Sequence, residues 1–254
     1  MIELKDLCFS FDNKIIFNNL NAIFEKGEFC SIIGPNGSGK TTLLKLLSGK
    51  YKAKSGNISI DGTDISIIRR TDLSKKIAVL PQERNKTAIT VYDLIASGRY
   101  PYHGTFGKYN SSDNEIILSS AGKAGVYDLL DSDIRFLSGG ERQRVYIASV
   151  LAQDTPYIIF DEPCTFLDIY NKFEIVTCFK NICRSGKGII AVIHDLSFAL
   201  KYSDKILILD RENDISEFLS PDEIYESGLI EKVYNVKCHK TIVDGQIEYV
   251  ITSK

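Results

Sequence analysis

The stretch GPNGSGKT, Gly34 to Thr41, constrains this chain more than any other. It fits the pattern G-x-x-x-x-G-K-[ST], whose glycines let the backbone turn sharply and point successive N–H groups inward at an anion. Its flanks are the ones such a loop needs. The apolar run Phe29 to Ile33 precedes it, and Thr41 to Lys50 carries Leu43, Leu44, Leu46 and Leu47 in a helical stripe. A buried strand, a tight loop and a helix N-terminus in that order make a phosphate cradle, the helix dipole adding to the N–H groups. The residues expected to bind nucleotide there are Gly34, Pro35, Asn36, Gly37, Ser38, Gly39, Lys40, Thr41 and Thr42. Lys40 would neutralise the β and γ phosphates and Thr41 would ligate magnesium. A dinucleotide fingerprint fails on spacing: after Gly37 and Gly39 the third glycine of G-x-G-x-x-G falls at Thr42.

Further short apolar runs occur at Ile77 to Leu80, Tyr157 to Phe160, Ile189 to Ile193 and Ile206 to Leu209. Consecutive apolar positions mark strands covered on both faces, and helical segments such as Ile169 to Arg184 separate several of them, so a parallel α/β core is expected. Ile2 to Leu4, Ile15 to Phe24 and Ile58 to Ile60 instead alternate apolar with polar residues, as an antiparallel sheet with one exposed face does. From Glu83 to about Ser149, Gly, Pro and Ser punctuate the helix-like segments Val91 to Ala96, Asn114 to Ala124 and Glu141 to Ala152, which reads as a helical subdomain. Asp222 to Val236 reads as a closing helical region and Gln246 to Thr252 as a strand. The expectation is one domain over 1–254, with lobes.

Lys+Arg 31 against Asp+Glu 33 gives a net charge of -2, so no basic field recruits nucleic acid or an anionic membrane. The charged N-terminus MIELKDLCFSFDNK does not read as a signal peptide, so the chain is expected not to be exported. No apolar run approaches the roughly 20 residues that cross a bilayer. The 6 cysteines lack CxxC pairing and are expected to be reduced and buried.

YIIFDEP, Tyr157 to Pro163, ends a buried strand in two consecutive carboxylates, which calls for a cation nearby. Asp161 would hold magnesium, and Glu162 would orient and polarise an attacking water. LSGGERQR, Leu137 to Arg144, is a second anion nest: Ser138, Gly139 and Gly140 offer backbone and hydroxyl donors ahead of a helix that begins near Glu141. One ATP can use both nests only if two chains face one another, which predicts a nucleotide-sandwiched homodimer.

With these motifs the chain resembles the ATP-binding-cassette (ABC) ATPases over nearly its whole length. Gln82 of VLPQE, FLD at Phe166 to Asp168 and His194 of VIHD add to the match. The resemblance implies a P-loop NTPase ABC ATPase core with an antiparallel β subdomain and a helical subdomain. It further implies that Gln82 senses magnesium and the water, and that His194 contacts the γ-phosphate. Phe11 falls where the family places an aromatic, usually Tyr, on adenine; a core phenylalanine is the other reading. His103 and His239 have no such context and are left as surface or structural residues. Cys164 replaces the usual Thr, Phe166 fills a variable position, and the late turn reads DRENDI; none of these removes a catalytic group.

Val91 to Asp113 resembles the same stretch in importer ATPases that serve iron-siderophore, haem and cobalamin permeases, through GRYP at Gly98 to Pro101 and the later EKVYNV at Glu231 to Val236. Arg99, Tyr100, Tyr102, His103 and Tyr109 would form an aromatic and basic surface for a permease's short cytoplasmic helix, ordinary lobe packing being the other reading. That resemblance implies a peripheral subunit on the cytoplasmic face of the membrane, bound to separate integral permease chains and served indirectly by a substrate-binding protein. A soluble cassette ATPase, for example for iron-sulfur assembly or DNA repair, shares the motifs. A small-molecule kinase is opposed by LSGGE, and a non-catalytic module by the presence of Lys40 and Glu162.

Overall fold

A computed structural model describes residues 1–12, 14–82, 88–103, 109–165 and 167–254. The expected lobe boundary at Glu83, part of the segment between Val91 and Asp113, and Phe166 lie outside them.

The central sheet has six strands, in the order Ile215–Leu219, Lys205–Asp210, Phe29–Ile33, Gly188–Val192, Tyr157–Asp161 and Ile77–Leu80. All neighbours run parallel except Ile215–Leu219, which pairs antiparallel with Lys205–Asp210 at one edge. Every residue of Phe29–Ile33, Tyr157–Asp161 and Gly188–Val192 is buried, so these strands read as near-continuous apolar runs. Their side chains still alternate. Phe29, Ile33, Ile158 and Phe160 pack with Phe179 and Ile182 of the helix Ile169–Arg184 on one face. Cys30, Ile32, Tyr157 and Ile159 pack with Leu43 and Leu46 of the helix Lys40–Leu47 on the other.

An antiparallel sheet of Lys14–Phe24, Ile2–Phe11, Ser55–Ile60 and Thr63–Asp64 closes that second face, contributing Leu4, Leu7, Phe17, Leu20 and Ile58. A separate apolar cluster joins Val91 and Ile95 to Ile117, Ala121 and Ile134. The helix Gly139–Ala152 serves both: Val145, Ala148 and Ala152 face this lobe, while Ile147, Val150 and Leu151 face the sheet. A helix buried on two sides ties the helical lobe to the core.

Several expectations need correction. The helix after the phosphate loop ends at Leu47 rather than Lys50, because Gly49 takes a left-handed φ of 69°. Asp222 to Val236 is helical as far as Tyr234, in two pieces. These are Pro221–Glu226 and Leu229–Tyr234, and Val236 already opens a strand, Val236–Val243, that forms a hairpin with Gln246–Ser253.

The aromatic and basic surface expected around GRYP does not form as one face. Arg99 is 6% exposed; its Nε donates to Asp113 Oδ1 at 2.9 Å and its Nη1 to the carbonyl of Ala152 at 2.9 Å. Tyr102 lies with its ring centroid 4.0 Å from the guanidinium carbon and donates its hydroxyl to the Gln153 carbonyl. His103 Nε2 stands 2.8 Å from Asp113 Oδ2. Of the five residues, only Tyr100 and Tyr109 are exposed. A buried guanidinium needs a buried carboxylate, and Asp113 in the first turn of the helix Ser111–Lys123 supplies it.

All six cysteines are free thiols, and among the described residues no helix is long and apolar enough to cross a membrane.

Candidate active site

Strand register assembles the site. Ile32 pairs with Val192, Val192 with Asp161, and Phe160 with Leu80. Gly34, His194, Asp161, Glu162 and Gln82 therefore leave the same carboxyl edge of the sheet at nearly one level, the edge at which open α/β sheets bind ligands.

At Gly34 a Cβ would lie 2.2 Å from the Leu209 carbonyl oxygen and 2.6 Å from Ser38 Oγ, so only glycine fits. Gly39, at φ 104°, starts the helix, and a Cβ there would meet Ile16 and Phe17. Within the loop the ammonium of Lys40 donates to the carbonyls of Gly34 at 2.7 Å and Pro35 at 2.9 Å. Burial pushes that ammonium below the usual lysine range, while the charges of Glu162 and Asp161 act against the shift. Asn36, Gly37 and Thr41 are exposed along the loop rim, with Pro35 and Thr42 half-buried.

Asp161 is the last residue of its strand and 7% exposed. Burial raises its carboxyl above the usual range and Glu162 adds to this, against Lys45, His194 and Lys40. Asp161 Oδ1 and Ser38 Oγ are both buried without a hydrogen-bond partner among the described residues. An orphaned carboxylate oxygen beside a glycine cradle and a buried ammonium fits a phosphate ester with a divalent cation. Magnesium keeps a small protein ligand set and takes its other ligands from phosphate and water, so a carboxylate, a hydroxyl and an amide suffice. Asp161, Thr41 and Gln82 would be those groups; no cluster of three or more His, Cys, Asp or Glu occurs among the described residues.

Glu162 adopts a left-handed φ of 54°. The other described non-glycine residues with positive φ are all Asp or Asn, which tolerate it, whereas Glu162 holds it at a cost on the order of 1–3 kcal/mol. Its carboxylate accepts from Gln82 Nε2 at 2.7 Å and from Thr165 Oγ1 at 3.1 Å, and His194 Nε2 stands 2.6 Å from Oε1. A carboxylate held this way beside the phosphate loop can accept a proton from water.

The second nest starts a helix. Ser138 caps Gly139–Ala152, two residues earlier than the expected Glu141, and Glu141 completes a capping box: its carboxylate accepts from the Ser138 N–H at 2.9 Å and hydroxyl at 2.7 Å. Gly140 packs against Asn171, where a Cβ would lie 2.2 Å from Oδ1. Gln143 Nε2 donates to the Pro163 carbonyl at 2.6 Å, linking this helix to the Asp161–Glu162 corner. Phe11 sits apart, 42% exposed and held edge-on by Phe9 and Tyr51, so it is not a core residue. Sequence reasoning missed Thr165, Gln143 and Asn171. A hydroxyl three residues after a terminal carboxylate is a signal that could have found Thr165.

The fold and this corner define a P-loop nucleotide-hydrolase cassette, a parallel sheet with a phosphate loop and a carboxylate pair at its carboxyl edge. The chain belongs to the ABC transporter family, whose sequence profile matches residues 17–165. ATP-binding subunits of this family hydrolyse ATP to power transport. The chain is 35% identical over 248 residues to the petrobactin import ATP-binding protein YclP of Bacillus subtilis, covering 97% of each. It is 40% identical over 243 residues to the petrobactin import ATP-binding protein FpuC of Bacillus anthracis, covering 93% of this chain and 88% of that one. In fold it matches a chain of an ABC transporter described as metal-chelate type, solved in an inward-facing conformation, with TM-score 0.86, 22% identity and coverage of 99% and 96%.

Proposed function

We propose that this chain is the ATP-hydrolysing subunit of an importer for an iron chelate, a siderophore ahead of haem or cobalamin, acting on separate permease chains at the cytoplasmic face of the membrane. The observation that carries the reading is Glu162, held in a strained backbone at the sheet edge that also bears the phosphate loop. The petrobactin relatives supply the cargo class.

In this reading Gly34 to Thr42 wrap the phosphates, Lys40 neutralises β and γ oxygens, and Phe11 stacks on adenine. Asp161, Thr41 and Gln82 would hold magnesium, which would offset phosphate charge. His194 holds the γ-phosphate and the water. The water oxygen bonds to the γ phosphorus, its proton passes to Glu162, and the bond from phosphorus to the bridging oxygen breaks as ADP leaves with the electron pair. Ser138, Gly139, Gly140 and Glu141 meet the nucleotide of a second copy, so binding draws two chains together and hydrolysis releases them. The substrate-binding protein acts through the permease, and nucleic acid has no part in the cycle.

Mass spectrometry of what co-purifies with the chain from native membranes in mild detergent tests this. A many-spanning permease supports the importer, and its binding protein is then the place to assay siderophores. Recovery of soluble proteins alone would point instead to a cassette ATPase without a permease.

A further inference from the structure

The carboxylate of Glu162 is held by hydrogen bonds from several sides. Its side chain is 15% exposed, and a cavity of about 320 Å³ opens at this corner, lined by Glu162, Thr165, His194 and Phe198 among others. Three side chains hold it: Gln82 and Thr165 at Oε2, and His194 at Oε1. Gln82 and His194 come from separate strand ends, and the proposed function gives both other work on metal, water and phosphate. Thr165 differs. It lies three residues beyond Glu162 on the same turn, its own N–H directed at the Glu162 carbonyl at 3.4 Å, and it has no assigned contact with nucleotide.

We infer that Thr165 is a positioning residue for hydrolysis: its hydroxyl keeps Oε2 of Glu162 anchored when Gln82 and His194 turn to the nucleotide, and leaves Oε1 aimed to accept the proton of the attacking water. A glutamate at φ 54° has no regular secondary structure to steer its side chain, so an anchor on the same turn is what separates a placed base from a wandering one. Thr165 also stands three residues before Asp168, which caps the next helix through the Asn171 N–H at 2.8 Å. The inference rests on Glu162 being the base.

The test compares Thr165→Val, which keeps shape and loses the donor, with Thr165→Ser, which keeps the donor and loses the methyl. Both are made in the full chain, with steady-state ATP hydrolysis and affinity for a fluorescent ATP analogue measured on each. Thr165→Val should lower kcat about 10- to 100-fold with KM and analogue affinity within about twofold, and Thr165→Ser should return kcat to within about threefold of the parent. A valine variant with the parent's kcat overturns the inference. So does an equal loss in both variants, because the hydroxyl that Thr165→Ser retains would then give no rescue. Should Thr165→Val fail to bind the analogue, Thr165→Ala takes its place under the same criteria. Glu162→Gln runs alongside: hydrolysis surviving in it would bring down the base assignment and Thr165 together, whereas its loss beside an active Thr165→Val would remove Thr165 alone.

Discussion

His194 Nε2 stands 2.6 Å from Glu162 Oε1, although the two residues follow different strands of the sheet. Strands Tyr157–Asp161 and Gly188–Val192 are parallel neighbours in which Asp161 is level with Val192, so the residues just beyond each must meet. The contact makes the carboxylate and the imidazole one unit, and a change at either is felt at the other.

Glu162→Gln keeps the size of the side chain and removes its ability to take a proton. ATP affinity should be unchanged and hydrolysis should fall about 10²- to 10⁴-fold. With ATP present the variant should accumulate as a dimer on sizing chromatography; elution as a monomer alone would count against the sandwich.

Lys40→Ala removes the donor to the Gly34 and Pro35 carbonyls together with the buried positive charge facing the phosphates. Affinity for a fluorescent ATP analogue should weaken about 10- to 100-fold, the scale of a charge-assisted hydrogen bond. Equal affinity in parent and variant would refute the role given to Lys40.

Arg99→Ala leaves Asp113 buried without the guanidinium that pairs with it. Breaking a buried ion pair from one side costs about 3–5 kcal/mol, so urea unfolding should shift by that amount. A shift under about 0.5 kcal/mol, the range of ordinary surface substitutions, would return Arg99 to the surface role first expected of it.

Acid should weaken the helical lobe through Asp113. Burial alone would raise its carboxyl, but the Asn110 amide, His103 and Arg99 outweigh burial and hold it at about 2, against an unperturbed 3.8. A carboxyl depressed in the folded state contributes stability above its unfolded pKa, and that contribution is lost as pH falls through the folded value. Urea midpoints of the parent should therefore drop between pH 3.8 and about 2, and those of Asp113→Asn should drop less. Parallel curves for the two proteins would exclude Asp113 as a source of acid lability.

Much of the fold was legible because its signals are local. Fully buried parallel strands show as apolar runs, and a loop that admits no Cβ at Gly34 shows as glycine. The edge strand Ile215–Leu219 was missed because its burial is partial and uneven. The hairpin at Val236–Val243 was half missed because its first strand follows a helix with a single residue between. Arg99 was misread because its composition is that of a surface residue and its partner comes from another helix.

The sequence by itself determined a phosphate loop between a buried strand and a helix, a terminal carboxylate pair, and the residue types able to move a proton and hold an anion. Each depends on chemistry carried within a few consecutive residues. The tertiary structure alone decided that Gln82, Glu162 and His194 converge, that Thr165 holds the same carboxylate, and that Arg99 is buried. Those outcomes depend on strand register and on partners distant in the chain, and no local pattern of residues encodes the distance between them.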